Sequence, residues 1–140
     1  MTVEQREAFL AKTRQAILLR ANGDGTANGA PIWFDWDGTV VRFFSSTAAP
    51  KVARIRADPR VSLLVTNDVG EPPEWVRFDG TAVEDDATDA IHFATELLAP
   101  RYWDLAQPAY AEVVDQWRAA PSDAFVVFRV VPIRIAASTN

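Results

Sequence analysis

The dipeptide Asp37-Gly38 narrows most sharply what this chain can fold into. Both residue types tolerate positive φ, and Asp-Gly between two apolar runs is a strong short-range signal for a β-hairpin. The flanking runs are Ile32-Trp33-Phe34-Asp35-Trp36 and Val40 to Phe44, both rich in the aromatic and branched residues that suit strands. A second turn, Asn22-Gly23-Asp24-Gly25, follows the apolar run Ala16 to Leu19, and Asn28-Gly29 offers another candidate turn. Val61 to Val65, Trp75 to Val83 and Phe125 to Ile135 read as further strands, the last interrupted by Pro132. Gly80 inside such a strand predicts a bulge or a close backbone contact. The expectation is a mainly β (α+β) fold, with six antiparallel strands closing into a small barrel and helices at its periphery.

Four segments read as helices. Thr2 caps the first, with Glu4, Glu7, Phe9 and Leu10 following at helical spacing. Pro50 starts a short second one that places Val52 and Ile55 on one face, and Asp58-Pro59 stops it. Asp86 to Leu98 carries Ile91, Ala94, Leu97 and Leu98 on one stripe, and Tyr110 to Trp117 repeats the pattern.

Composition removes several chemistries. The 140 residues include no cysteine and one histidine, which excludes disulfides, thiolate chemistry and multi-histidine metal sites. The length suits one domain, residues 1–140, without linker or repeat. A net charge of −5 argues against general nucleic-acid binding. No apolar run reaches the length of a membrane span and no signal peptide opens the chain, so a cytoplasmic protein is expected.

Charge is uneven, and the unevenness points to an anion. Arg42, Lys51, Arg54, Arg56 and Arg60 face only Asp58 along residues 42–60. Within that stretch Ser45, Ser46 and Thr47 offer hydroxyls at a strand end, Lys51 offers a compact charge, and the helix that follows presents free N–H groups. Read alone, the same residues also suit a polar loop with a solvated lysine. His92, between Ile91 and Phe93, has no evident catalytic partner and is an unpromising haem ligand, and Glu84-Asp85-Asp86 reads as a solvated loop and helix start. Glu71-Pro72-Pro73-Glu74 reads as a rigid surface loop.

Several runs together resemble the pyridoxamine-phosphate-oxidase-like split β-barrel superfamily. They are Gly29 to Phe34, Phe44-Ser45-Ser46-Thr47 with Lys51, Arg56 to Val65, Trp75 to Ala82, and Val126 to Ile135. The resemblance implies a six-stranded antiparallel split barrel, a homodimer, and FMN (or the deazaflavin coenzyme F-420) held at the dimer interface. It implies that Ser45 and Lys51, with Phe44, Ser46 and Pro50 beside them, meet the cofactor phosphate. Ile32, Trp33 and Phe34 would line the ring, and Trp75 would reach the cofactor held mainly by the other subunit. It also puts the 71–74 loop near the partner's cofactor, where it could gate access. Three departures stand out: Pro50 replaces the arginine before the phosphate-binding lysine, Ala30 and Asp35 replace basic flanks, and the C-terminal Arg-x-His is absent. The pyridoxamine phosphate reaction itself is therefore not expected. The implied function is a flavin-dependent oxidoreductase acting on a small molecule, with a deazaflavin-dependent reductase or a cofactor-binding module without turnover as alternatives.

Overall fold

The computed structural model describes residues 1–138. A helix α1 (Val3–Ala11) opens the chain, with a capping box in which Thr2 and Gln5 satisfy each other's backbone N–H. Strands β1 (Ala16–Ala21) and β2 (Ala27–Ile32) form a hairpin, followed by the two-residue β3 (Asp35–Trp36) and β4 (Val41–Ser46). Helix α2 (Pro50–Ala57) leads to β5 (Arg60–Thr66) and the ten-residue β6 (Trp75–Glu84). A helical excursion then runs through α3 (Ala90–His92), α4 (Ala99–Tyr102) and α5 (Pro108–Arg118), before β7 (Phe125–Val130) and β8 (Arg134–Ala137) close the chain.

All pairings are antiparallel, in the order β2-β1-β5-β6-β7-β4-β3, with β8 added to β6. β6 makes the sheet split. Its residues 75–81 pair with β5 and residues 76–79 with β8, while Ala82, Val83 and Glu84 pair with β7. One long strand thus belongs to both halves of the barrel. Burial alternates along β4, β5 and β6, so Phe43, Leu63, Val76 and Phe78 point into a single core.

The antiparallel split barrel agrees with the sequence reading, and the differences lie in how strands break. The expected six strands resolve into eight segments. Ile32 to Trp36 is not one strand: β2 ends at Ile32 and pairs with β1, whereas Asp35 and Trp36 pair with β4. The final β segment breaks around Pro132, as its missing N–H dictates. The 37–38 hairpin exists, but as a four-residue loop. Only Gly38 has positive φ (93°), and the Asp37 carboxylate accepts the N–H groups of Thr39 and Val40 at 2.8 and 2.7 Å. Asn28-Gly29 forms no turn and lies within β2. In the third predicted helix the chain widens into a π-helical turn over Phe93–Leu98. This buries Phe93 and Thr95 and leaves Ile91 and Leu97 partly exposed, displacing the stripe expected from a 3.6-residue period. Pro100, just beyond, has no N–H to return to the preceding turn.

Gly80 carries the close contact its position predicted. A Cβ there would sit 2.8 Å from Val130 Cγ1 and 3.0 Å from the Val131 carbonyl oxygen. Gly80→Ala is therefore expected to lose about 1–3 kcal/mol through forced backbone movement. Urea unfolding checks this, and a midpoint equal to the wild type would show that the contact relaxes freely.

No helix among the described residues is long and apolar enough to cross a membrane.

Candidate functional site

The end of β4 and the start of α2 form one side of an open groove of about 490 Å3. Ile32, Trp33, Phe44, Ser45, Ser46 and Lys51 line it, together with Gln15, Pro31, Ala49, Trp103, Trp117 and Phe125. None of these is acidic, and Lys51 is the groove's one charged side chain.

Local structure sets the polar end. Ala49 N–H donates to Ser46 C=O at 3.0 Å, turning the chain so that Pro50 begins α2 and Lys51 follows in its first turn. The Lys51 ammonium is half-buried, and burial pushes its pKa below the ordinary 10.5. Its side chain forms no hydrogen bond or ion pair with any described residue. Ser46 is exposed beside it with a free hydroxyl, whereas buried Ser45 donates to the Ser46 carbonyl at 3.0 Å. Thr47 is committed elsewhere: its hydroxyl donates to Asp123 C=O at 2.6 Å and its N–H to Ala124 C=O at 2.9 Å.

The other end is aromatic. Trp33 stacks on Tyr102 (4.8 Å between centroids, 5° between planes) and meets Trp103 edge-on at 4.7 Å. Phe44 lies edge-on to Trp117 at 5.6 Å and to Phe125 at 5.9 Å. Trp103 in turn stacks against Trp117 and Tyr110. The walls thus come from the segment just after β2, from β4, from the start of β7 and from the helical excursion. The Tyr102 hydroxyl fixes this wall, accepting Phe34 N–H at 3.1 Å and donating to Arg14 C=O at 2.6 Å. Burial pushes its phenol pKa up, so it stays a donor at neutral pH. Tyr102→Phe strands both partners and is expected to cost about 1–3 kcal/mol. Thermal unfolding reads the loss, and near-UV circular dichroism would report Trp33 leaving its stack. Unchanged stability would mean that water replaces the hydroxyl.

Six of the nine sequence candidates therefore meet in one groove. Phe34 turns into the core instead, 6% exposed, although its backbone holds Tyr102. Pro50 shapes the start of α2 without lining the groove. Trp75 stands at the start of β6 under the Arg77 guanidinium (6.0 Å) and does not line the groove. Arg54 and Arg56 do not reinforce Lys51: Arg54 lines another depression and Arg56 pairs with Glu84. Trp36 packs on Phe78 and donates to Glu7 at 2.8 Å, a core role. His92 is exposed on α3. The 71–74 loop is anchored at Glu71, which accepts both guanidinium nitrogens of buried Arg14 (3.0 and 2.9 Å) and the Lys12 ammonium.

Trp103 and Trp117 are groove residues that sequence reasoning missed. Trp117 was visible only as part of an amphipathic stripe, and Trp103 lies between two helices in a stretch without a pattern.

The model of the pyridoxamine 5'-phosphate oxidase family matches residues 2–136. The chain belongs to this family. The fold of this family member is similar to that of an F420 reductase, at 23% identity and a TM-score of 0.59, covering 93% of this chain and 94% of the other. It is similar to a FAD-binding protein from Mesorhizobium loti, at 22% identity and a TM-score of 0.62, covering 98% and 94%. It is also similar to the haem storage protein HutZ from Vibrio cholerae, at 16% identity and a TM-score of 0.66, covering 97% and 92%. No curated protein matches the chain by sequence. Family and fold are thereby fixed, and the choice of ligand rests on the groove.

Proposed function

We propose that this family member is a flavin-dependent oxidoreductase that holds FMN in the Lys51 groove and transfers reducing equivalents to a small molecule. One observation carries the reading: a half-buried ammonium without a partner among the described residues closes one end of an aromatic-walled groove whose lining contains no carboxylate. An unpaired buried charge costs stability, and a phosphate would offset that cost. The donor set fits the cofactor, with Lys51 and the Ser46 hydroxyl for the phosphate and Trp33, Phe44, Trp103 and Trp117 as flat surfaces for the ring. A bound flavin supplies two-electron chemistry at N5, while the chain binds, orients and shields it.

The similarity to an F420 reductase supports deazaflavin as the alternative. Its long anionic tail favours a broad basic groove, and Arg54 and Arg56 are both turned away from Lys51. FMN is therefore the first reading. We also read the protein as a homodimer in which Trp75 of the second copy completes the site. A titration of FMN and F420 against the protein, followed by ligand fluorescence, separates the cofactors: tighter binding of FMN is expected. Light scattering at micromolar concentration should give twice the chain mass, and a monomer that still binds FMN would remove the shared-site arrangement.

A further inference from the structure

A second depression, of about 820 Å3, lies between the β1–β2 hairpin and α2, and shares no lining residue with the Lys51 groove. Two carboxylates also line it, and only one of them is paired with a cation. Asp58 takes the Arg60 guanidinium through two hydrogen bonds of 2.9 and 2.8 Å. Asp24 accepts the N–H and hydroxyl of Thr26 at 3.0 and 2.6 Å through the same oxygen, Oδ1, and keeps its negative charge. Arg20 from β1 and Arg54 from α2 line the same depression, and their side chains make no ion pair or hydrogen bond with any described residue. Among the described arginines they share this with Arg129, whereas Arg14, Arg42, Arg77, Arg101 and Arg118 each hold a carboxylate.

Arg20 and Arg54 stand on separate elements and line one depression, where three arginines outnumber two carboxylates and leave an excess positive charge that an anion would neutralise. Each offers a planar fork of donors matched to phosphoryl oxygens. Their origin on two elements suits an anion with two charged groups better than a single phosphate. We propose that Arg20 and Arg54 form a diphosphate-binding site, distinct from the Lys51 groove, that takes this group either free or within a nucleotide. The site is independent of the flavin reading, because none of its residues touches that groove.

Calorimetric titration with inorganic pyrophosphate and with ADP tests this, using Lys51→Met protein so that the other phosphate-binding position is silent. Saturable 1:1 binding is expected, falling at least tenfold in Arg20→Gln or Arg54→Gln and disappearing in the double variant. Thermal melting checks that the variants fold, and Arg54→Lys, which keeps the charge, should retain part of the affinity. ADP binding at least tenfold tighter than pyrophosphate identifies a nucleotide site, and equal affinities identify a site for the diphosphate alone. No saturable binding of either ligand, or binding unchanged in the folded double variant, would overturn the proposal.

Discussion

Lys51→Met is expected to weaken FMN binding about ten- to 150-fold, the equivalent of losing one charge-assisted phosphate contact worth about 1.5–3 kcal/mol. The fold should survive, because the Lys51 side chain makes no hydrogen bond or ion pair with any other described residue. The wild type should also show a distinctive pH dependence. Burial places the pKa of Lys51 in the free protein below 10.5, and the phosphate binds the charged form. Affinity should therefore decline as pH rises through that lowered value, while the Met variant stays flat. The stability contribution has the opposite sign: folding disfavours the charged lysine, so deprotonation at high pH removes a penalty. Fluorescence titrations of both proteins from pH 7 to 10 measure the effect. Equal affinity in the two would move the phosphate site elsewhere.

Phe78→Ala is expected to cost about 3–5 kcal/mol, as a large core truncation that the site cannot fill by collapse. Phe78 has 0% exposure, packs against Trp36 at 4.8 Å and pairs with both β5 and β8. It sits on the strand that joins the two halves of the barrel, so a cavity there weakens both. Urea unfolding by tryptophan fluorescence measures the loss. A loss below 1 kcal/mol would show that neighbouring side chains fill the space and that β6 is less central than its pairing indicates.

The strands were legible because alternation and turn chemistry act locally. Val61 to Val65 and Trp75 to Val83 read correctly since every second residue enters the core. Their splits were less legible. That Ile32 would pair with β1 and Asp35 with β4 depends on sheet curvature, which no local pattern encodes. The π-helical turn at Phe93–Leu98 changed which residues are buried, because periodicity assumes a constant 3.6-residue winding. At the groove, Lys51 and Ser46 were legible from their place between a strand end and a helix start. The position of Trp103 was not, since residue separation tells nothing of how an excursion folds back onto β2. Side-chain commitment was equally invisible: Thr47 looked like a phosphate donor, yet Asp123 and Ala124 take both its hydrogen bonds.

Whether the Lys51 groove holds a flavin is read from the absorbance spectrum of the protein after incubation with FMN and exhaustive dialysis. A retained flavin band near stoichiometry, lost in Lys51→Met, is the predicted result. A colourless wild-type protein would contradict the assignment of this groove to a flavin.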